Sequence, residues 1–208
     1  KELGELTGLP CKGGNDVKTA GLGEMWKGGA AEYDNAVFIT LGTGVAAAII
    51  VEGKVILGAM GAAGEIGHIK VNMEETNACG CGGIGCAEQY ASGPGLVRMA
   101  KKKLEESDKA SVLRDEEITA KTVFDAYKAG DELATEVVEA FGHYLGYSLA
   151  ATAAVVDPEA FIIGGGVSKA GEILLGYVEK NFQEKAFFAH KETKFVLAEL
   201  GNVAGICG

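Results

Sequence analysis

Three of the five cysteines in this chain of 208 residues lie close together in the segment CGCGGIGCAEQ, at Cys79, Cys81 and Cys86. A histidine, His68, lies upstream in the segment AGEIGHIKV. The glycines between the cysteines can adopt positive φ angles, so a tight turn can bring the three thiolates to one point. Three thiolates and one imidazole form a closed tetrahedral set that is typical of structural zinc. The spacing therefore predicts a zinc site at His68, Cys79, Cys81 and Cys86; the alternative is three buried free cysteines in a glycine loop.

The other cysteines and histidines are isolated in the sequence. We expect Cys11 and Cys207 to be inert thiols, and His143 and His190 to be surface or core residues rather than ligands. An odd number of cysteines without a secretory signal is typical of a reducing cytoplasm, where grouped thiols bind metal or stay free. A disulfide within the cluster is therefore not expected.

Composition and charge limit the classes of partner. The formal net charge is −10 at pH 7, and binding to nucleic-acid phosphates needs clustered Lys and Arg, so we expect no nucleic acid on this segment. No apolar run approaches the roughly 20 residues of a membrane span, and KELGELTGLP lacks the apolar core of a signal peptide. The hydrophobic content of 48% allows one compact unit, with a small metal-bearing region inserted at about 60–95.

The order of predicted elements indicates the fold class. Buried strands are predicted in NAVFITLGTG and AFIIGGG, and a later strand in KFVLAEL. AAAIIVEGKVILG predicts two strands joined at Glu52-Gly53, so an antiparallel meander starts near Ala36. Helices are predicted over Asp16–Ala31, Glu88–Leu104, Thr119–Ala129 (with Thr119 as N-cap) and Asp131–Val156, and from about Ser168. This order predicts an α/β fold with a mixed sheet.

Glycine and alanine recur in two patterns. Within the longest helix, small residues stand at every fourth position and predict a buried seam where another backbone approaches closely: Gly142, Gly146, Ala150 and Ala154. Two strands end in glycine turns, LGTG and IIGGGVS, and the second turn leads into a helix. Backbone N–H groups in such turns can approach an anion, and a helix N-terminus favours negative charge. Two turns on one sheet favour a nucleotide cleft, although each alone is commonly structural.

Several segments together resemble one family. AGEIGHIKV followed by CGCGGIGCAEQYAS resembles the signature of the ROK family of sugar kinases and sugar-responsive repressors. GGNDVKTAGLGEMWKGGA resembles that family's catalytic segment, and VVDPEAFIIGGGVSKAGEILL its adenosine segment. LGTGVAAAIIVEGKVILGAMGAAGEIGH resembles the phosphate loop and sugar motif. The resemblance covers nearly the whole chain and implies a lobe of the two-lobed, actin-like (ribonuclease-H-like) ATPase fold.

The resemblance implies a reaction and roles for named residues. The reaction is phosphoryl transfer from ATP, with Mg²⁺, to the 6-hydroxyl of a hexose, with glucose as the expected acceptor. Asp16 matches the catalytic base, although Asn-Asp before a helix is otherwise read as an N-cap. Sugar hydroxyls would be bound by Asn15, Asp16, Glu65, His68 and Glu88. Nucleotide would be bound by Gly42, Thr43, Gly44, Gly164, Gly165, Gly166 and Val167. Zinc would shape the sugar pocket without taking part in the chemistry.

The same resemblance implies limits and alternatives. Family kinases begin with another lobe that carries Asp-x-Gly-Gly-Thr, a motif that this sequence lacks before Asn15, so we expect a C-terminal lobe that is inactive alone. The family also implies a homodimer. Three alternatives stay open: a kinase for fructose, mannose or an N-acetylhexosamine, a sugar-responsive repressor, and a zinc-stabilised structural domain.

The sequence departs from the family pattern at five positions. Alanine replaces the later glycines of the phosphate loop at Ala46, Ala47 and Ala48. These methyl groups fit a strand but would crowd a phosphate if the backbone there needed positive φ. Lys18 stands where family glucokinases commonly have Asn, and Gly14 where they commonly have Glu. We expect these changes to bear on efficiency and sugar preference rather than on family membership.

Overall fold

A computed structural model describes residues 2–11 and 13–208 and contains a five-stranded mixed sheet. The strand order is β3-β2-β1-β4-β5. The first three strands form the predicted antiparallel meander, and β4 and β5 continue the sheet in parallel with β1. The strands are β1 Ala36–Leu41, β2 Val45–Val51, β3 Lys54–Val55, β4 Ala160–Gly164 and β5 Lys194–Leu197. The predicted α/β fold with a mixed sheet is confirmed.

Helices cover both faces of this sheet. The helices are α1 Glu2–Thr7, α2 Asp16–Lys27, α3 Glu88–Ala91, α4 Gly93–Glu106, α5 Ala120–Lys128, α6 Glu132–Val156, α7 Glu172–Lys185 and α8 Ala204–Cys207, and of these α1 has no buried residue. The predicted cap at Thr119 is confirmed, because its side chain accepts a hydrogen bond from the N–H of Thr122. None of the helices in the described ranges combines the length and the apolar character that crossing a membrane would require.

The central strands are buried on both faces, which explains their continuous apolar runs. On β1, Val37, Ile39 and Leu41 enter the larger core, which α4, α5, α6 and α7 cover. Ala36 and Phe38 enter a second core on the other face, together with Val17 and Ala20 of α2. Alternate residues of one short strand therefore anchor both layers.

Four predicted helix features need correction. The predicted helix from Glu88 breaks at Ser92, whose side chain caps α4 by accepting from the N–H of Gly95, with proline in the first turn. The helix that begins at Asp16 ends at Lys27, before Gly28, and does not reach Ala31. The predicted helix near residue 168 is a 3-10 turn followed by α7. In α6 the seam of small residues is buried at its first three positions, but Ala154 is exposed.

Candidate active site and metal centre

The structure brings the four predicted metal ligands together. One ligand atom each from His68, Cys79, Cys81 and Cys86 lies within 4.8 Å of the others. Cys81 Sγ lies 3.6 Å from Cys86 Sγ, and His68 Nδ1 lies 3.8 Å from Cys79 Sγ. All three cysteines are free thiols in the structure. Three sulfurs and one imidazole nitrogen at this spacing fit a tetrahedral zinc ion, so the donor set suits the predicted metal.

Backbone pairing holds the cysteine loop in this shape. Cys86 pairs with Lys70, and Ile84 pairs with Ala78, each in an isolated antiparallel bridge. Gly82 and Gly85 have the positive φ angles that the sequence led us to expect, 83° and 69°. At Gly85 a Cβ atom would lie 1.8 Å from the carbonyl oxygen of Asn72, so only glycine lets the two segments approach. The loop is therefore shaped by its backbone as well as by its thiols.

The surroundings of the cluster shift the pKa values of Cys79 and Cys81 in opposite directions. Burial raises the pKa of the Cys79 thiol to about 12. Hydrogen bonds, the most important of them with the backbone of Gly83, lower the pKa of the Cys81 thiol. Lys70 Nζ donates to Cys86 Sγ at 2.9 Å. The ammonium of Lys70 thus faces a group that would carry three negative charges with all thiols ionised, and such a group favours a divalent cation.

Glu88 connects this cluster to the first glycine turn. It is the first residue of α3, and its Oε1 accepts from Cys79 Sγ at 3.1 Å. The same oxygen lies 3.8 Å from His68 Nδ1. Its other oxygen, Oε2, lies 2.8 Å from the position that a Cβ on Gly44 would take. The cluster, the Glu88 carboxylate and the Gly44 turn are therefore contiguous.

Two glycines press the His68 segment against β2. Ala47 N–H donates to the carbonyl of Gly64 at 2.8 Å. A Cβ on Gly64 would lie 2.0 Å from the carbonyl oxygen of Ala47, and a Cβ on Gly67 would lie 2.1 Å from that of Val45. These contacts leave Glu65 exposed and His68 half-buried at one edge of the sheet.

Asn15 and Asp16 stand at the N-terminus of α2. Asn15 Oδ1 accepts from the N–H of Lys18 at 3.1 Å, so the capping role considered for this pair is present. Asp16 Oδ1 accepts from the N–H of Val17 at 2.8 Å. Both side chains are exposed, and each keeps polar atoms that these bonds do not use. Capping and ligand binding are therefore compatible here.

A cleft of about 690 Å³ joins α2 to the second glycine turn. Asp16 and Val17 line one side, and the Gly164–Gly166 turn lines another. A Cβ on Gly165, whose φ is 88°, would lie 2.5 Å from the carbonyl oxygen of Leu41, so this turn packs on the end of β1. The two glycine turns therefore meet at the carboxyl ends of neighbouring parallel strands, where ligands bind in open α/β sheets.

The remaining predicted residues lie outside the cleft lining. Gly42 accepts from the N–H of Gly93 through its carbonyl, at 2.8 Å, and Thr43 is exposed. Val167 is 5% exposed and packs in the larger core, so only its backbone is placed to meet a ligand. Asn15, Glu65, His68 and Glu88 are also absent from the lining of the 690 Å³ cleft.

The alanines of the first glycine turn occupy ordinary strand positions. Ala46, Ala47 and Ala48 pair with Thr40, Ile39 and Phe38. Among the described non-glycine residues, only Glu52 and Asp157 have positive φ. A Cβ on Gly21 would lie 2.4 Å from the Cβ of Ala48, so the glycine of α2 makes room for that alanine. The positive φ angles that would turn these methyl groups towards a phosphate are therefore absent at these positions.

Sequence reasoning missed the roles of two buried charged residues of α2. Lys18 is 6% exposed and its ammonium donates to the carbonyl of Gly61, which leads towards Glu65. Glu24 is fully buried and accepts three backbone N–H groups. For Glu24 the only signal in the sequence is a charged residue in the segment LGEM, whose other residues are small or apolar. This signal does not identify the residues that Glu24 contacts.

Comparison with known proteins places this chain in one family. The sequence profile of the ROK family matches residues 1–208. A glucokinase of Halalkalibacterium halodurans is 42% identical over 212 residues, which cover 100% of this chain and 64% of that protein. The crystal structure of a ROK family glucokinase from Streptomyces griseus, in complex with glucose and AMPPNP, is 36% identical with a TM-score of 0.87, covering 99% of this chain and 69% of that one.

A regulator has a similar fold. A ROK family transcriptional regulator, a homologue of the E. coli MLC protein, is 31% identical with a TM-score of 0.90, covering 100% of this chain and 52% of that one. The architecture is therefore that of the actin-like sugar kinases and their relatives. The chain belongs to the ROK family. It spans about two thirds of the length of the glucokinases that it matches.

Proposed function

We propose that the protein transfers the γ-phosphoryl group of ATP, with Mg²⁺, to the 6-hydroxyl of glucose. The observation that carries this proposal is the cleft in which Asp16 faces the Gly164–Gly166 turn. Phosphoryl transfer needs a base near the attacking hydroxyl and a site that positions the phosphates. The similarity to a glucokinase solved with glucose and AMPPNP supports both assignments.

Asp16 acts as the base in this proposal. One carboxylate oxygen accepts from Val17, which orients the group, and the other remains available to take the hydroxyl proton. Asn15 keeps its amide N–H₂ for a neighbouring sugar hydroxyl, because its oxygen caps α2. The exposure of both residues, and the position of Asp16 in the cleft lining, support these roles.

Glu65, His68 and Glu88 complete the sugar site. His68 directs Nδ1 towards Cys79, which leaves Nε2 for a sugar hydroxyl. Glu88 lies beside both His68 and the Gly44 turn. Pairing each hydroxyl with a separate polar group penalises an epimer that leaves one group unpaired, which supports selectivity among hexoses.

The two glycine turns bind the nucleotide. Gly42, Thr43 and Gly44 are assigned to the phosphates, and Gly164–Gly166 with the backbone of Val167 to the adenosine side. The contact between Gly165 and the end of β1 supports a single binding surface. His68, Cys79, Cys81 and Cys86 bind structural zinc, which holds the loop at about 60–95 and supplies no reacting group.

In this proposal residues 1–208 form the sugar- and adenosine-binding lobe of a cytoplasmic enzyme. Because residues 1–208 span only part of the length of the related glucokinases, we expect this segment to be inactive alone. A homodimer with α6 near the contact is the proposed assembly. The second candidate function is a sugar-responsive repressor, favoured by the similarity to the transcriptional regulator.

A substrate panel on the full-length protein tests the proposal. Phosphorylation of glucose, mannose, fructose and N-acetylglucosamine is measured with ATP, and binding of each sugar is measured separately by calorimetry. We expect kcat/KM to be highest for glucose. A higher value for another sugar would reject the glucose assignment and keep the kinase, whereas sugar binding without any phosphorylation would favour the repressor.

A further inference from the structure

Glu24 is a fully buried carboxylate that the proposed reaction does not use. It lies in α2, and its Oε2 accepts from the N–H groups of Gly29 at 2.8 Å and Glu199 at 3.1 Å. Its Oε1 accepts from the N–H of Leu200 at 2.9 Å. Burying a carboxylate is costly unless hydrogen bonds replace its water. Three backbone donors satisfy this one, so the interaction joins α2 to a segment 175 residues further along the chain.

That distant segment forms part of the cleft wall. Glu199, Gly201 and Asn202 line the 690 Å³ cleft, together with the Gly164–Gly166 turn and Asp16. Asp16 begins the helix that carries Glu24. A single carboxylate therefore holds the wall at residues 199–202 to the helix that presents the proposed base.

Three of the five proposed sugar residues are held by contacts other than those of Glu24, whereas Asn15 and Asp16 begin the helix that carries it. Glu65 and His68 depend on the contacts of Gly64 and Gly67 with β2, and Glu88 lies beside the cysteine cluster. The side-chain hydrogen bonds that the structure describes for Glu24 do not reach those segments. A change at Glu24 should therefore act on the nucleotide side of the cleft first.

We propose that Glu24 is a positioning residue for the nucleotide: it fixes the 199–202 wall against α2, so that the bound nucleotide and Asp16 keep one relative geometry. This inference rests on the proposed function. A carboxylate is needed because Oε2 accepts two N–H groups and Oε1 a third. An amide of the same shape would present N–H₂ to at least one of these donors. Gly28 leaves the space that this carboxylate occupies, because a Cβ on Gly28 would lie 2.1 Å from Glu24 Oε2.

Loss of the carboxylate should loosen the wall without detaching it. Gly23 packs so closely on α8 that a Cβ would lie 2.2 Å from the carbonyl oxygen of Ala204. This contact does not involve Glu24, and it keeps the C-terminal segment on α2. The effect of a substitution is therefore expected in nucleotide affinity rather than in the fold.

Glu159 provides a control at the opposite end of β4. Its Oε2 accepts from the N–H groups of Asp34 at 3.0 Å and Asn35 at 2.8 Å. It precedes β4, whereas the Gly164–Gly166 turn lies at the other end of that strand. Glu159→Gln therefore removes another carboxylate that accepts backbone N–H groups, an exposed one with two donors, at a position away from the cleft.

The experiment compares Glu24→Gln with Glu159→Gln in the full-length protein. We expect Glu24→Gln to raise KM for ATP about 10-fold with KM for glucose changed less than about twofold, because a displaced wall misplaces one substrate only. Hydrogen–deuterium exchange should rise in residues 199–202. Glu159→Gln should change neither KM. An unchanged KM for ATP, or an equal rise in both KM values, would overturn the inference.

Two additions remove ambiguity. Leu200→Pro deletes one donor to Glu24, and φ of −81° at Leu200 suits proline, so this variant tests the interaction if Glu24→Gln does not fold. It should also raise KM for ATP.

If the wild type phosphorylates no hexose, the proposed function fails, and Kd for ADP is compared instead. Weaker ADP binding in both cleft variants would then support the role of Glu24, and equal binding would overturn it.

Discussion

The cysteine loop and the two glycine turns reach defined geometry by different means. Between Gly64 and Glu88, a range that the structure describes throughout, the only helix is the short 3-10 turn Ile66–His68, and close backbone contacts with isolated bridges hold the chain. The glycine turns at Gly42–Gly44 and Gly164–Gly166 instead continue two strands that are buried on both faces. The loop should therefore depend on single ligands and single glycines, whereas the strands that carry the glycine turns should tolerate small side-chain changes.

Removing one metal ligand gives the largest expected effect of this contrast. Cys86→Ser should lower bound zinc from about one equivalent to a small fraction, because an incomplete ligand set holds the metal far less tightly. Hexose binding should weaken with it, since His68 and Glu88 would lose their support. Elemental analysis of protein purified without chelator measures the zinc.

Cys207→Ser is the control for that change, because Cys207 is a lone thiol outside the cluster. It should keep full zinc and full hexose affinity. A zinc-free wild type, or a disulfide among Cys79, Cys81 and Cys86, would contradict the metal assignment.

The contact of Gly64 with β2 should be almost as sensitive. Gly64→Ala places a Cβ 2.0 Å from the carbonyl oxygen of Ala47 at a φ of 89°. We expect the free energy of unfolding to fall by about 2 kcal/mol or more, with weaker hexose binding. Denaturant unfolding of the variant measures the first effect and calorimetry the second.

Gly176→Ala is a suitable comparison. Gly176 lies inside α7, and a Cβ added there would have no described atom within 4 Å, so alanine should leave stability unchanged or raise it by about 0.5–1 kcal/mol. Equal losses in the two variants would show that glycine itself, rather than the close approach at β2, sets the stability.

Glu75 should give the cysteine loop a pH dependence. Burial alone would raise the pKa of Glu75, but hydrogen bonds from Tyr90, Asn77 and Arg98 outweigh it and lower the pKa to about 2. Because the folded pKa lies below the ordinary value of 4.5, Glu75 stabilises the fold above about pH 4.5, and this contribution is lost as pH falls towards 2. Glu75→Gln should cost about 1–3 kcal/mol at pH 7 and flatten the profile of unfolding free energy between pH 5 and pH 2.

Glu136→Gln separates this effect from surface charge. Ion pairs with Lys103 and Lys109, each at 2.8 Å, also hold the pKa of Glu136 at about 2, but its side chain is 39% exposed. Its contribution should be smaller and should vanish in high salt, whereas that of Glu75, 8% exposed, should persist. The same salt response in both variants would contradict the distinction.

The strand that follows the first glycine turn should show the smallest effect. Ala46→Gly restores a family glycine at a position that pairs regularly with Thr40. We expect a loss of about 0.5–1 kcal/mol in stability and less than a twofold change in KM for ATP in the full-length protein. A large fall in KM for ATP would show that the alanine does crowd a phosphate.

The sequence predicted the cysteine cluster because its ligands have distinctive chemistry and close spacing. It also predicted the strands and their glycine turns, since strands buried on both faces read as continuous apolar runs. It did not reveal the break at Ser92, where a serine cap and Pro94 override an amphipathic pattern that continues through them. It could not pair Glu24 with Glu199 and Leu200, because a hydrogen bond to a distant backbone N–H leaves no mark on the partner's residue type.

The most direct test of the proposed chemistry is kcat of the Asp16→Asn variant of the full-length protein, measured with ATP and glucose. Asparagine keeps the shape and the hydrogen-bonding capacity of Asp16 but cannot accept the hydroxyl proton. We expect kcat to fall by about 10²–10⁴-fold, with Kd for glucose changed less than about threefold. Near-normal turnover in this variant would contradict the assignment of Asp16 as the base.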